Sequence, residues 1–162
     1  MKKKLSYLLA TFFGFGCAPF APGTVGSLAT LPLAFALCYF WGIWGILAGV
    51  IITFFIGVYT SSEVLKYTPH DPGFIVIDEV AGQLLTFATV APYLQNTSKG
   101  LIIYVTGFIL FRVFDIVKPQ PVKWADRKIL NAWGVMLDDI IAGCYAMLIL
   151  LILYKFIFAV YL

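Results

Sequence analysis

The feature that most constrains this chain is an apolar run that extends from Leu28 to about Tyr59. A helix needs about 20 apolar residues to cross the hydrocarbon core of a bilayer, so the run is too long for one ordinary span. The segment WGIWG, Trp41 to Gly45, offers a break within it. We therefore predict a tight helical hairpin, each arm of which is short for a full crossing.

Composition extends this membrane character to the whole chain. Of the 162 residues, 62% are hydrophobic and 12% are charged, whereas a soluble domain has about 25% charged residues. The length suffices for one domain, and we predict a single membrane-embedded domain over residues 1–162. The predicted fold is all-α: a multi-helical integral membrane bundle with a short N-terminal helix and about five longer helices.

The amino-terminal segment MKKKLSYLLATFFGFG combines a basic head with an apolar stretch. A secretory signal has the same order of parts, but here no A-x-A-like cleavage site follows. We interpret the segment as a short anchored helix with its lysines in the cytosol.

Basic residues indicate which side of the membrane each loop occupies. Beyond the hairpin, further helices are predicted from about Ile75 to Ala91, from Leu101 to about Val117, and from near Trp133 to the C-terminus. With that topology Lys2–Lys4, Lys66 and the loop Lys118–Lys128 share one side, and Lys99 alone falls on the other. Since basic loops remain in the cytosol, the shared side is predicted to be cytosolic.

Five of the eight acidic residues lie inside or at the ends of the predicted apolar helices: Asp78, Glu79, Asp115, Asp138 and Asp139. The hairpin topology uses none of them, yet it brings all five to the cytosolic face. Adjacent carboxylates in apolar surroundings repel each other and lose hydration. A helix start, where the dipole favours acids, is the plain alternative for the Asp78–Glu79 pair. Carboxylates from three helices that meet in one place need a hard cation, and oxygen-only ligation favours Mg²⁺.

Two cationic side chains lie beside these acids. Arg112 precedes Asp115 by three residues and shares its helix face, and Lys118 follows Asp115 by three. Together with metal-binding carboxylates they indicate a site for an anionic group, most simply phosphate. An intrahelical ion pair for Arg112 and a lipid-headgroup contact for Lys118 remain open.

A glycine- and proline-rich loop, Gly14 to Ser27, precedes the long apolar run. Its composition argues against a regular helix, and Thr24 and Ser27 present hydroxyls just before the run. The loop is either an anion cradle at a helix N-terminus or a plain N-cap after a turn.

Mg²⁺ and phosphate at a membrane surface indicate phosphoryl chemistry on a lipid headgroup, with a carboxylate as general base or nucleophile. The single histidine, His70, cannot supply a two-histidine phosphatase, and the sequence lacks the C-x5-R, D-x-D-x-[TV] and D-G-x2-A-R motifs of other classes. A divalent-cation transporter or channel stays open, because intramembrane acids also mark ion paths. A purely structural membrane subunit is the third hypothesis. We expect membrane lipids, and no nucleic acid, as partners.

Four ordered blocks make the sequence resemble the bacterial phosphatidylglycerophosphatase A family. They are G-x-G-x-x-P-x-A-P-G-T-x-G-S at Gly14–Ser27, D-P-x-x-I-V-x-D-E-x-x-G at Asp71–Gly82, F-R-x-F-D-I-x-K-P-x-P at Phe111–Pro121 and G-V-M-x-D-D-x-x-A-G at Gly134–Gly143. The resemblance implies an all-helical, multi-pass protein of the bacterial cytoplasmic (inner) membrane with its active site facing the cytosol. It also implies Mg²⁺-dependent hydrolysis of the terminal phosphate monoester of phosphatidylglycerophosphate to phosphatidylglycerol and inorganic phosphate.

The resemblance assigns roles by position. It implies metal binding by Asp78, Glu79, Asp115, Asp138 and Asp139, and catalysis by Asp78, Glu79, Asp115 and Asp139. It implies substrate binding by Thr24, Ser27, Arg112 and Lys118. The chain departs from the family at Leu130–Trp133, where relatives tend to have a glycine-rich approach to the last helix. The resemblance therefore does not imply the shape of the site's wall at that segment.

Small residues predict where two helices approach each other. Gly82 and Gly143 each follow an acidic pair by about four residues, and a residue without a side chain allows close helix packing. We therefore expect the helix that carries Asp78–Glu79 to contact the helix that carries Asp138–Asp139.

Overall fold

The computed structural model describes residues 2–68, 72–94 and 97–158, so His70 and Asp71 lie outside the described part. No strand occurs in those ranges, and the all-α prediction is confirmed. The α-helices are α1 (Lys2–Ala10), α2 (Pro22–Val64), α3 (Ile77–Thr86), α4 (Thr97–Val117), α5 (Val122–Lys128) and α6 (Ala132–Leu153). Short 3₁₀ turns at Phe15–Cys17 and Ala88–Tyr93 and a π-helical turn at Tyr154–Phe158 accompany them.

Helix α2 is a hairpin rather than a single rod. Gly42 breaks it with φ 60° and ψ −142°, a backbone conformation that residues with a Cβ rarely adopt. Beyond the break the chain turns back, because a Cβ added to Gly49 would lie 2.7 Å from Cδ1 of Leu37. In a straight helix these residues would lie about 18 Å apart. The predicted hairpin is confirmed.

The arms of the hairpin are longer than predicted. α2 begins at Pro22 instead of Leu28 and ends at Val64 instead of near Tyr59. Each arm therefore has about 20 residues and a length of about 30 Å, enough to span a bilayer. We predicted that no regular helix forms in the loop Gly14–Ser27. This was wrong for the last part of the loop, from Pro22 onwards, which belongs to α2. Proline at the first helical position lacks only an N–H that would have no helical partner.

Among the described residues, three helical segments are long and apolar enough to cross a membrane: Pro22–Val64, Gly100–Val117 and Ala132–Phe156. Their exposed surfaces are rich in large apolar side chains, as lipid contact requires. The membrane character predicted from composition is confirmed.

Helix α3 is shorter than predicted and lies at the centre. The sequence indicated a helix over about Ile75–Ala91, but the α-helix covers Ile77–Thr86 and continues as the 3₁₀ turn Ala88–Tyr93. With 10 residues it is about 15 Å long, too short to span a bilayer. Its Val80, Leu84 and the following Phe87 are fully buried in the main core.

Helices α3 and α6 cross at their glycines, as predicted. A Cβ added to Gly82 would lie 2.5 Å from the carbonyl oxygen of Asp139, and one added to Gly143 would lie 2.5 Å from that of Gly82. Real Cβ atoms do not approach carbonyl oxygens that closely, so only glycine fits at either position. The predicted contact is confirmed, and it fixes the two acidic pairs relative to each other.

Because α2 is a hairpin, both of its ends lie at the same end of the bundle, together with the starts of α3 and α6 and the end of α4. The α1 lysines belong to this end, since Lys3 Nζ lies 3.5 Å from the ring centroid of Tyr67. At the opposite end Tyr93 stacks on Tyr154 with their ring centroids 3.9 Å apart. Lys155 directly follows Tyr154 at this end of the bundle. The prediction that Lys99 is the one lysine on that side was therefore wrong.

Candidate active site

One cavity collects six acidic side chains at the end of the bundle where α2, α3 and α6 begin. We call it the acidic cavity; its volume is about 320 Å³. All five predicted acids and both predicted cations line it: Asp78, Glu79, Arg112, Asp115, Lys118, Asp138 and Asp139. Side chains from α3, α4 and α6, with Lys118 just after α4, therefore share one small space.

Three of the carboxylates have the spacing of a cation site. Asp78, Glu79 and Asp139 each offer an oxygen within 4.8 Å of the others. Asp78 and Asp139 are 7% and 3% exposed, and ionised groups so buried are costly unless a cation compensates them. Oε2 of Glu79 is buried without a hydrogen-bond partner in the described part of the chain. This all-oxygen set fits Mg²⁺, which favours hard oxygen ligands.

Burial is the main reason that the pKa of Glu79 rises to about 8. The hydrogen bond with Asp78 lowers this pKa, the charges of Asp139 and Asp115 raise it, and Arg112 lowers it. Burial therefore favours the protonated form of the Glu79 carboxyl, and a cation that binds here competes with that proton.

Arg112 connects three elements of the site. Its Nη1 lies 2.5 Å from Oδ2 of Asp115 and 3.9 Å from Oε1 of Glu79. It also donates a 3.4 Å hydrogen bond to Oγ of Ser27 on α2. Its Nε is buried and has no partner among the described residues, so the guanidinium keeps one donor for a further group.

Lys118 occupies an unusual backbone position at the end of α4. Its φ is 47°, in the left-handed region, just before Pro119. Nζ lies 2.6 Å from Oδ1 of Asp126 and 2.8 Å from Oδ2 of Asp138. Burial by itself lowers the pKa of Lys118, but the hydrogen bonds to the two aspartates raise it by more. The pKa of Lys118 is therefore raised overall, and the ammonium remains charged.

Asp126 is a cavity residue that the sequence did not indicate. It lies on α5, in a segment predicted as a basic loop, and its carboxylate is the closer partner of Lys118. The available signal was its position as the single acid between Lys118 and Asp138. Asp138 Oδ1, by contrast, is buried and has no partner within the described ranges.

The start of α2 borders the cavity without the predicted hydroxyls. Ala21, Pro22 and Gly23 line it, whereas Thr24 and Ser27 do not. Ser27 reaches the site indirectly, because its Oγ donates a 2.8 Å hydrogen bond to the Gly23 carbonyl and accepts one from Arg112. A Cβ on Gly23 would collide with Oε1 of Glu79.

The segment Leu130–Trp133, where the sequence departs from the family pattern, supplies the N-cap of α6. Asn131 Oδ1 accepts hydrogen bonds from the backbone N–H groups of Trp133 at 2.9 Å and Gly134 at 3.3 Å. An asparagine N-cap of this kind satisfies donors that the first helical turn leaves free. Gly134 then lines the cavity.

Comparison with known proteins agrees with the four sequence blocks. The model of the family Phosphatidylglycerophosphatase A matches residues 8–154. The chain belongs to this family. The predicted resemblance is confirmed, and the chain is an enzyme of a phosphatase family.

Three relatives match along most of their length. The Phosphatidylglycerophosphatase A of Escherichia coli (strain K12) is 36% identical over 85% of this chain and 76% of its own. The protein of the same name from Haemophilus influenzae is 36% identical over 88% of this chain and 85% of its own. A Putative phosphatidylinositol-3-phosphatase from Bacteroides thetaiotaomicron is 32% identical over 90% of this chain and 91% of its own. No solved structure matches the chain.

Proposed function

We propose that this protein is a Mg²⁺-dependent lipid phosphatase that converts phosphatidylglycerophosphate to phosphatidylglycerol and inorganic phosphate. The observation that carries the proposal is the convergence of carboxylates from α3, α4 and α6 with Arg112 and Lys118 in one cavity at one end of an apolar bundle. Two relatives named Phosphatidylglycerophosphatase A support the choice of substrate.

The carboxylates divide into two groups by their surroundings. Asp78, Glu79 and Asp139 would hold Mg²⁺, because their oxygens already lie within 4.8 Å of one another. One oxygen of Asp115 is paired with Arg112, and one oxygen of Asp138 is paired with Lys118. These two carboxylates would complete the acidic set. Bound Mg²⁺ supplies Lewis-acid polarisation of the phosphate and neutralises the charge that develops on it.

Arg112 and Lys118 would bind the phosphate from two sides. Both are charged and already directed into the cavity, and Arg112 Nε has no partner among the described residues. Phosphate oxygens would accept charge-assisted hydrogen bonds from the Arg112 and Lys118 groups that now bond to carboxylates. The backbone N–H groups at the start of α2 add the positive end of a helix dipole to the same wall.

Hydrolysis then requires one proton acceptor and one proton donor. A water oxygen would bond to phosphorus as the ester P–O bond breaks, a cavity carboxylate would accept the water proton, and the leaving glycerol oxygen would take a proton from bulk water, which the carboxylic acid then replaces. The unpartnered Oδ1 of Asp138 and the carboxylate of Asp115 are acceptors available for this step. Asp126 would act through Lys118 as a positioning residue.

The distribution of basic residues supports a cytosolic orientation in the inner membrane. Lys2–Lys4, Lys66 and the α5 residues Lys123, Arg127 and Lys128 all belong to the end of the bundle that carries the acidic cavity. By the positive-inside rule this end faces the cytosol, which is where we place the active site.

The proposal is tested by phosphate release from phosphatidylglycerophosphate in detergent micelles. The purified protein should release phosphate with Mg²⁺ and stop when EDTA is added, and Asp78→Asn and Asp115→Asn should each lower turnover by about 100-fold or more. Wild-type turnover in both variants would refute the assigned roles. Phosphatidylinositol 3-phosphate belongs in a parallel assay, because one relative is named for that lipid. Mg²⁺ uptake into proteoliposomes without phosphatase activity would favour the transporter hypothesis instead.

A further inference from the structure

A second concave surface lies between α1 and the end of α2. It is an apolar groove of about 650 Å³, roughly twice the volume of the acidic cavity. We call it the α1 groove; Lys3, Lys4, Tyr7, Leu8, Val64 and Tyr67 are among its lining residues. None of these residues lines the acidic cavity, so the proposed hydrolysis leaves the groove unexplained.

The groove lies where a membrane-spanning arm ends. Val64 is the last residue of α2, and Tyr59 and Phe55, five and nine residues earlier on the same arm, are exposed as lipid-facing side chains are. Leu5 and Leu8 of α1 are exposed as well. A short helix with lysines at its start and exposed apolar side chains is typical of the interface between headgroups and acyl chains.

The rim of the groove is positively charged while its floor is apolar. Lys3 caps the ring of Tyr67 at 3.5 Å from its centroid, a contact that holds the ammonium at the rim. Lys2 and Lys4 have no carboxylate partner within the described ranges of the chain, and the one acid of the groove, Glu63, is paired with Lys66. Lys3 and Lys4 line the groove and its acid is already paired, so the rim attracts an anionic headgroup.

We propose that the α1 groove is a binding site for an anionic phospholipid of the surrounding membrane. One acyl chain lies along the apolar floor beside Leu8 and Val64, and the lipid phosphate contacts the ammonium groups of Lys3 and Lys4. The site is separate from the acidic cavity, and the proposal holds whether or not the protein hydrolyses phosphatidylglycerophosphate.

The test uses the purified full chain in detergent and native mass spectrometry with phosphatidylserine and phosphatidylcholine of identical acyl chains. Two pairs of variants isolate the groove. Leu8→Asp alters its floor, whereas Leu5→Asp adds the same charge to an exposed α1 position outside the lining. Lys4→Gln removes a rim charge, whereas Lys2→Gln removes the same charge outside the lining.

The wild-type protein should retain phosphatidylserine at least tenfold more strongly than phosphatidylcholine. Lys4→Gln should weaken that retention about fivefold and Leu8→Asp should weaken it further, while Leu5→Asp and Lys2→Gln should stay within about twofold of the wild type. Arg112→Gln should retain phosphatidylserine unchanged, since it alters only the acidic cavity. Equal retention of both lipids by the wild type, or equal losses in the groove variants and their matched controls, would overturn the proposal.

Discussion

Lys118 shows how much of the site depends on single residues. Its ammonium is shared between Asp126 on α5 and Asp138 on α6, and its own backbone is in a left-handed conformation. Three separate segments thus fix the position of one charge. We expect Asp126 to keep Lys118 in place if Asp138 binds another group.

Asp126→Asn should therefore impair phosphate binding more than the chemical step. A hydrogen bond to a charged group contributes about 1.5–3 kcal/mol, so we expect KM for the lipid phosphate to rise about tenfold or more, with a smaller change in kcat. Asp126→Glu should recover most of the loss. Lys123→Gln, exposed on the same short helix, is the matched control and should behave as the wild type does. Unchanged KM in Asp126→Asn would show that Lys118 does not need this partner.

Two glycines at the cavity offer a second test. A Cβ on Gly23 would collide with the Glu79 carboxylate, whereas one on Gly73, which also lines the cavity, would meet nothing within 4 Å. Gly23→Ala should displace Glu79 and raise the Mg²⁺ concentration needed for half-maximal activity at least tenfold. Gly73→Ala should leave that concentration unchanged. Equal metal requirements in both variants would mean that Glu79 is not a ligand.

The residues of the site differ in how well the sequence indicated them. Acids within apolar helices are costly, so Asp78, Glu79, Asp115, Asp138 and Asp139 could be singled out from the sequence. Asp126 could not, because its contact with Lys118 depends on the fold of α5 and on a left-handed backbone that local sequence does not specify. Thr24 was selected for its hydroxyl, yet it lies outside the cavity lining.

At the scale of helices, the crossing of α3 and α6 sets the distance between the two acidic pairs. Gly143→Ala would place a Cβ 2.5 Å from the carbonyl oxygen of Gly82, so the helices must separate. Such overpacking costs about 1–3 kcal/mol, and we expect a lower unfolding temperature in detergent together with weaker Mg²⁺ binding. Gly73→Ala, which has open space, serves again as the control. A variant with wild-type unfolding temperature and metal affinity would show that the crossing tolerates a wider spacing.

Helix boundaries were predictable where their cause is local. The break in α2 follows from glycine at position 42, and the α3–α6 contact follows from Gly82 and Gly143. The start of α2 was misplaced because Pro22 reads as a loop residue in composition but fits the first turn of a helix. The helix α5 was missed because its seven residues are too few to show a periodic pattern.

For the whole molecule, the orientation in the membrane is the property to measure. In a variant without Cys17, Cys38 and Cys144, a single cysteine at Lys123 should react with a membrane-impermeant maleimide only from the cytosolic side. A single cysteine at Trp44, exposed beside the hairpin break, should react only from the opposite side. The reverse pattern would place the acidic cavity outside the cytosol and contradict the proposed orientation.

The break at Gly42 also bears on how the chain enters the bilayer during synthesis. The segment around it, WGIWG, has no charged side chain, and the charged residues that flank α2 stay at the end where both arms terminate. Insertion of this pair of arms thus requires translocation of an uncharged turn alone, so no ionised group must be dehydrated on the way through the hydrocarbon core.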